Sequence, residues 1–447
     1  MSRGKRTVYS LVIAIGMLLF SYWVTNQRYL VSGNALLIKP IEIIKSLYYP
    51  STNYLDSVLL INTSYDQVLV AVNQDNRQKG YDQMADRRKL LQLLTELKRR
   101  NDYKYIILDI NFSDEADYHS DVDSALFDLI MSMDNIVIPK TPNMRLADER
   151  LNIKAGYAMY FTSTFHDSFT KYPFIVNGQK SLPLKMYEEI TGRKVESEGL
   201  FSTEGCRLVL DNIVLPPKLK LDLEDNEFVE YLQNGNKVWR NLGADLLGCY
   251  NNDTSSIKGE IYDTPALTRD KYIVIGAITG NTDRHNTCIG DQPGAIINFN
   301  AYLALFNNNH YIYWDIAILM FISFLFLSWC TISTPEERKK WISLYFTDNK
   351  FFRKCKKYMN STFPRLSRRL GWLNKIINFL NKHFGTWFDF SLFLIVLFTC
   401  TYLIRGVVYD IFITATVFAL IKVLNELFPI FRNKIKGLFI KLKHIKV

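Results

Sequence analysis

The chain has 447 residues, of which 48 % are hydrophobic and 14 % aromatic, and its formal net charge is +10. This length and composition allow a large buried core and more than one domain. The charge is uneven, because residues 8–330 carry 30 basic and 38 acidic residues whereas residues 331–447 carry 21 basic and 6 acidic ones. Since the basic excess flanks hydrophobic segments, it argues against nucleic-acid binding and indicates a membrane protein.

Four hydrophobic segments predict four transmembrane helices. The first, 8–24, follows the basic residues of 1–7 and precedes no small-residue cleavage site, so we interpret it as an uncleaved anchor instead of a signal peptide. The second span is 312–331. A hairpin of two further spans is predicted at 386–404 and 407–428.

Basic clusters predict the orientation of these spans. Between Arg338 and Lys382, in the loop 332–385, there are 13 Lys or Arg residues and one acidic residue, and the tail 429–447 is also basic. Such segments stay in the cytoplasm, so both termini are expected inside and the domain 25–310 outside.

The basic loop carries a predicted amphipathic helix. Apolar residues repeat at helical spacing from Leu366 to Phe384, with basic residues on the other faces. This pattern is typical of a helix on an anionic membrane surface, and a helix that docks on a partner protein fits equally well. The predicted surface contacts are Arg365, Arg368, Arg369, Trp372 and Lys375.

The outer domain alternates predicted helices and strands, which indicates an α/β fold with a mainly parallel mixed sheet. The predicted helices are 36–49, a leucine-rich helix capped by Asp86, one through 125–130, and one from Ala295 to Phe306; the predicted strands are 57–61, 105–108, 135–139 and 273–277. Between Thr141 and Glu260, the segments 172–177 and 208–213 predict strands of an antiparallel insertion.

Polar residues at strand ends are the candidates for a ligand site. Asp109 follows a buried strand, and Asp283, Arg284 and His285 lie in the predicted polar loop 280–285 after another. Open α/β sheets bind ligands at strand ends, although an aspartate there is as often a helix cap. We find no motif for a hydrolase nucleophile, a metal site or a phosphate cradle, so we expect no enzyme activity, cofactor or metal.

Three cysteines are predicted on the extracytoplasmic side of the membrane, where a disulfide persists. Cys206 and Cys249 are the candidate pair, which leaves Cys288 as an odd thiol.

The outer domain resembles the type-2 CHASE family of bacterial extracytoplasmic sensory domains. The resemblance rests on VLLINTS, on RRKLLQLLTELKRR before KYIILDINFSDE, on SDVDSALFDLI before NIVIP, and on KYIVIGAITGNTDRHNT before PGAIINFNAYLAL. These motifs cover about 57–140 and 270–306. Asn62 departs from the family, which often has an acid there, and Cys288 stands where proline is usual.

The resemblance implies a sensor in the bacterial inner membrane. In this family an output domain usually follows the last span, but only residues 429–447 remain here, so we expect a separate signalling partner. The expected ligand is a small molecule or an extracytoplasmic protein, and a homo-oligomer is compatible with the pattern. The alternatives are an assembly subunit whose outer domain binds another protein and, with less support, a membrane enzyme or transporter.

Overall fold

The computed structural model of the protein describes residues 3–26, 41, 57–74, 77–114, 120–160, 171–198, 201–214, 232–233, 236–237, 239–241, 267–279, 283–287, 290–333 and 399. The chain forms two compact units, residues 1–27, 32–34 and 312–447 in one and residues 28–31 and 35–311 in the other. Several predictions lie outside the described residues: the helix 36–49 except Ile41, the spans 386–404 and 407–428 except Thr399, the loop 332–385 except its first two residues, and the surface contacts Arg365, Arg368, Arg369, Trp372 and Lys375.

The helices are α1 (Arg3–Asn26), α2 (Arg87–Arg100), α3 (Ser120–Met131), α4 (Leu182–Thr191), α5 (Gly294–Phe306) and α6 (Trp314–Ile332), with a 3-10 helix at Glu149–Ile153. The strands are β1 (Val58–Asn62), β2 (Gln67–Gln74), β3 (Arg77–Ala85), β4 (Tyr105–Asp109), β5 (Ile136–Lys140), β6 (Ala155–Tyr157), β7 (Lys171–Pro173), β8 (Ile175–Val176), β9 (Gln179–Lys180), β10 (Val195–Glu198), β11 (Phe201–Glu204), β12 (Arg207–Val209), β13 (Asn212–Val214), β14 (Leu232–Gln233), β15 (Asn236–Lys237), β16 (Trp239–Asn241), β17 (Tyr272–Gly276), β18 (Arg284–Thr287) and β19 (Gly290–Pro293).

The first unit contains α1 and α6, which pack against each other. Within the described residues, the stretch Gly4–Asn26 of α1 is the one helix long and apolar enough to cross a membrane. The apolar stretch Trp314–Trp329 of α6 is shorter. The structure therefore places helices at the first two predicted spans, and one of them has the length of a span.

The second unit is built on a six-stranded parallel sheet with the order β16-β1-β17-β4-β5-β6. Its four central strands are buried on both faces, as expected for continuous β-branched runs in a parallel sheet. One row of paired residues crosses these strands: Leu59, Ile273, Ile106 and Ile136. This row belongs to one core cluster with the apolar faces of α2 and α3.

The helix α2 begins where the sequence predicts. The Asp86 side chain accepts hydrogen bonds from the backbone N–H groups of Arg88 and Lys89, which satisfies donors at the first turn. The helix ends at Asn101, which adopts the left-handed conformation that closes many helices. The leucines of its buried face therefore point at the sheet.

The helix α5 lies on the opposite face of the sheet and contacts β17, β4 and α4. All its residues from Gly294 to Leu305 are buried, so it is a core helix without a solvent face. A Cβ atom on Gly276 would be 3.0 Å from the Ala295 Cβ atom. Glycine at the end of β17 thus allows α5 to approach the sheet closely.

The segment between Thr141 and Glu260 contains antiparallel strands at the predicted positions 172–177 and 208–213, and it also supplies edge strands of the main sheet. β6 and β16 from this segment pair in parallel at the two edges of the main sheet. Among the described residues, the antiparallel part consists of the β10-β11-β12 sheet and the pairs β7-β13, β8-β9 and β14-β15. The prediction of a polar loop at 280–285 is corrected in part, because Arg284 and His285 belong to β18, which pairs with β19.

Candidate functional site

The site lies at the carboxyl edge of the parallel sheet. The last residues of three neighbouring strands are in register: Asn62 of β1, Gly276 of β17 and Asp109 of β4. β17 is the last strand of this sheet in the sequence, but in space it lies between β1 and β4. A crossover of this kind opens a crevice beyond the strand ends, where α/β proteins bind ligands.

Asn62 is fully buried and shapes the loop that follows β17. Its Oδ1 atom accepts hydrogen bonds from the backbone N–H groups of Ser64, Ile278 and Thr279, at 3.0 to 3.4 Å. Its Nδ2 atom donates to the Thr279 hydroxyl at 2.7 Å. The amide thus ties the ends of β1 and β17 together, which is a structural role at the position where the resemblance led us to expect an acid.

Asp283 and His285 form a pair beside the first turn of α5. The His285 Nε2 atom is 2.9 Å from the Asp283 Oδ1 atom. The backbone N–H of Gly294 donates to the Asp283 carbonyl at 3.0 Å. The Asp283 side chain lies against Gly294, the first residue of α5, where the positive end of the helix dipole favours a carboxylate.

Asn298 brings an amide to Asp109 from inside α5. Its Nδ2 atom donates to the Asp109 Oδ2 atom at 3.3 Å, and its Oδ1 atom accepts from the Tyr172 hydroxyl at 2.6 Å. Because the tyrosine can donate only to the amide oxygen, it orients the amide so that the nitrogen faces the carboxylate. Asn298 lies one turn after Gly294, so it shares that face of the helix.

The environment of Asp109 disfavours its charged form. Burial, and after it the nearby Asp283 carboxylate, raise its pKa to about 7, although Asn298 and His285 act in the opposite direction. Tyr160, whose ring packs edge-on against His285, has a raised pKa because of burial and the two carboxylates. Near neutral pH, Asp109 therefore exchanges between a carboxylate acceptor and a carboxylic acid donor.

These side chains line one cleft with a volume of about 440 Å³. Its lining includes Asp109, Asp283, His285, Asn298 and Tyr160. Further polar residues of the lining are Thr63, Gln67, Gln83, Asn111, Lys140 and Thr141, and apolar residues such as Met84, Ile110 and Met144 also contribute. The cleft has the size of a pocket for a small molecule and offers both donors and acceptors.

The structure therefore brings together three of the four predicted ligand residues: Asp109, Asp283 and His285. Arg284 does not line the cleft, because its Nε atom pairs with the Asp291 Oδ2 atom at 2.6 Å. Neighbouring residues of a strand point to opposite faces, so Arg284 and His285 cannot both face the cleft.

The remaining predictions concern metals and the disulfide. In the described part of the chain, no three His, Cys, Asp or Glu side chains are grouped so that they could hold a metal ion. Cys206 is a free, exposed cysteine, and Cys249 lies outside the described residues. The pairing of these two cysteines stays a prediction.

Asn298, Tyr160 and Tyr172 are site residues that the sequence analysis did not identify. The signal for Asn298 was a polar residue one turn into a strongly apolar helix, which needs a buried partner. Tyr160 and Tyr172 had no such signal, because tertiary pairing alone brings their segments to the cleft.

An α/β domain with a polar cleft at the carboxyl edge of its sheet has the geometry that open α/β proteins use to bind ligands. The family model of the CHASE2 domain matches residues 47–332. The chain therefore belongs to the CHASE2 family of extracellular sensory domains, which confirms the resemblance. No curated protein and no solved structure matches the chain.

Proposed function

We propose that the protein is a receptor of the bacterial inner membrane whose outer domain binds a small ligand in the Asp109 cleft. The observation that carries this proposal is the convergence of Asp109, Asp283, His285 and Asn298 on one cleft of about 440 Å³ at the strand ends. Three separate elements supply these side chains, so the arrangement depends on the whole fold. Membership of a sensory family supports the same function.

The membrane topology is also part of the proposal: four spans, with both termini and the basic loop in the cytoplasm. Apolar side chains on the outer surfaces of α1 and α6 support it, because such surfaces suit lipid. They include Val8, Val12, Ile15 and Leu19 on α1, and Ile318, Ile322 and Phe326 on α6. The basic clusters that flank the predicted spans supply the orientation.

The proposed route of the signal is α5. Its first turn adjoins the cleft at Asp283, and its last turn leads through residues 307–313 into α6. A ligand that contacts the Asp283–His285 pair therefore touches the start of this helix. Only a difference in affinity between two arrangements of the domain can drive a signal, so the ligand must bind one arrangement more tightly. A separate partner then receives the signal.

We further propose that the cleft binds its ligand without chemical conversion. Asp283 and His285 are engaged with each other and with the start of α5, which suits a positioning role. A hydrolytic activity that requires Asp109 or His285 would contradict this part of the proposal.

The test uses the full chain purified from its native membranes. We expect mass spectrometry to detect a small molecule in the wild-type protein that is depleted in the Asp283→Ala and Asn298→Ala variants. The control is Asp148→Asn, because Asp148 is a surface acid that pairs with Arg150 and does not line the cleft. Equal small-molecule content in all four proteins would contradict the proposal.

One observation favours the alternative of a protein-binding assembly subunit. The strands β2 and β3 form their own two-stranded sheet, on which Leu69 and Tyr81 share a face and are 68 % and 69 % exposed. Exposed apolar side chains of this kind suit protein contacts. If this reading is correct, Leu69→Ser and Tyr81→Ser abolish co-purification of a stoichiometric protein partner, and no small molecule is found.

A further inference from the structure

The segment 307–313, between α5 and α6, is attached to the small antiparallel part of the outer domain. The backbone N–H of Leu210 donates to the His310 carbonyl at 2.8 Å, and Val209 forms an antiparallel bridge with Tyr311. The chain that leaves the outer domain is therefore tied to the end of β12.

Side chains strengthen this attachment through Glu204, at the end of β11. Its carboxylate accepts hydrogen bonds from the Tyr311 hydroxyl at 2.6 Å and from the Tyr187 hydroxyl of α4 at 3.2 Å, and it lies 2.8 Å from the His310 Nε2 atom. Arg193 donates to the Tyr311 hydroxyl at 3.1 Å. We call Glu204, His310, Tyr311, Tyr187 and Arg193 the Glu204 cluster.

His310 and its partners Glu204, Tyr187 and Tyr311 are buried, whereas Arg193 is half-exposed, and this burial determines the charge of His310. The His310 side chain is 0 % exposed, and burial lowers its pKa more strongly than the Glu204 carboxylate raises it. Neutral His310 donates from Nε2 to Glu204. Its Nδ1 atom is buried and has no hydrogen-bond partner among the described residues.

In the described part of the chain, side chains from three places in the fold surround His310. Glu204 approaches from β11, Tyr187 packs edge-on from α4, and Phe174 packs edge-on from the turn after β7. On the side of Tyr311, Arg193 donates to the hydroxyl, and the Arg207 guanidinium lies 5.3 Å from the ring centre. Glu204 is thus the one acid of the cluster, and the two arginines oppose a further positive charge.

We infer that Glu204 is a positioning residue for signalling. Its contacts with His310 and Tyr311, which we call the clasp, hold the segment that leads into α6, and acid breaks these contacts. Protonation adds a hydrogen to the buried Nδ1 atom of His310, for which the described residues of the closed cluster offer no acceptor. A buried donor without an acceptor is costly, so the charged ring is stable only when the segment separates from the cluster. The inference rests on the proposed function only in that a signal leaves the domain through this segment.

The direction of the pH effect follows from the pKa of His310. Because its pKa in the closed clasp is below the ordinary value of about 6.5, the open state binds more protons. The closed clasp is therefore fully stable above about pH 6.5 and loses stability as the pH falls below that value. The pKa of Glu204 is also lowered, so protonation of Glu204 weakens the clasp only in stronger acid.

Hydrogen exchange of the full chain in lipid nanodiscs tests this inference. Between pH 7.5 and 5.5, exchange of peptides from 307–313, corrected for the intrinsic effect of pH, is expected to rise, by up to about ten-fold, because an open His310 with a pKa near 6.5 gains a proton over this range. His310→Gln is expected to remove the pH dependence. Glu204→Gln is expected to raise exchange already at pH 7.5, and Glu204→Asp to restore part of the protection.

Glu96→Gln is the control, since Glu96 is also a buried acid with basic partners, Arg99 and Arg100, but lies on α2. It is expected to match the wild-type protein in segment 307–313. Equal protection of the wild-type segment at both pH values, or an unchanged pH response in His310→Gln, would overturn the inference. No ligand is added in this experiment, so it is independent of the small-molecule test of the Asp109 cleft. A negative result in either test does not change the conclusion of the other.

Discussion

Asp283 occupies the space that a side chain on Gly294 would need. A Cβ atom on Gly294 would lie 2.5 Å from the Asp283 Oδ2 atom and 3.1 Å from its Cγ atom. Glycine at the start of α5 therefore admits the carboxylate that pairs with His285. The cleft depends on this absence of a side chain, because Asp283 could not otherwise lie against the first turn of α5.

This relationship predicts a non-additive pair of substitutions. Gly294→Ala is expected to destabilise the protein by about 1–2 kcal/mol, since overpacking forces the Asp283 carboxylate to move. In an Asp283→Ala background the clash is absent, and alanine within a helix is favoured over glycine by about 1 kcal/mol. Unfolding measured for all four proteins gives the coupling energy. Additive effects would show that the two residues are not in contact.

The raised pKa of Asp109 predicts an unusual pH dependence of stability. Its folded-state pKa of about 7 exceeds the unfolded value, so the folded state binds more protons between about pH 4 and 7, and stability falls as the pH rises through this range. Asp109→Asn removes the charge. This variant is expected to be more stable than the wild-type protein at pH 8, on the order of 2 kcal/mol, and to show little difference at pH 4.

The control for Asp109→Asn is Asp148→Asn. Hydrogen bonds from Arg150 lower the pKa of Asp148, so this substitution is not expected to stabilise the protein at pH 8. Melting temperatures of both variants at pH 4 and pH 8 provide the comparison. A loss of stability in Asp109→Asn at pH 8 would mean that the Asp109 carboxylate is well solvated or paired with a cation.

The hydrogen bonds of Asn62 predict different losses of stability for substitution by aspartate and by leucine. An aspartate there retains an acceptor for the three backbone N–H groups, and the Thr279 hydroxyl can donate to it, so Asn62→Asp is expected to cost less than about 1 kcal/mol. Leucine leaves those groups unsatisfied and is expected to cost about 2–4 kcal/mol. Thermal unfolding measures both variants. Equal costs would show that the hydrogen bonds of Asn62 do not hold the loop after β17.

The sequence predicts the central part of the fold because its strands are continuous apolar runs. β1, β4, β5 and β17 are buried on both faces, and the helix capped by Asp86 has a regular leucine stripe. The hairpin β2-β3 and the edge strands β6 and β16 were not predicted. Edge strands such as Ala155–Tyr157 and Trp239–Asn241 are three residues long, so pairing with the sheet defines them more than local composition does.

The same distinction applies to the site. Asp109 and Asp283 were predictable because each follows a buried strand, and parallel strands end at one edge of a sheet. His285 was predicted with them, although it lies in a strand and not in a loop. Asn298 lies within an apolar helix, and its role depends on Tyr172, which is 126 positions away in the chain. Sequence periodicity carries no information about such a contact.

The outward orientation of the CHASE2 domain is the central claim, and cysteine labelling tests it most directly. Cys206 is a free, exposed cysteine, and Cys355 lies in the predicted cytoplasmic loop. Two variants of the chain are needed, one with Cys206 and one with Cys355 as its single remaining cysteine. Each is treated with a membrane-impermeant maleimide in cells whose inner membrane is intact. We expect labelling of Cys206 in intact cells and labelling of Cys355 only after lysis. If both cysteines are labelled in intact cells, or if both are labelled only after lysis, the domain and the basic loop lie in one compartment. Either result would contradict the receptor.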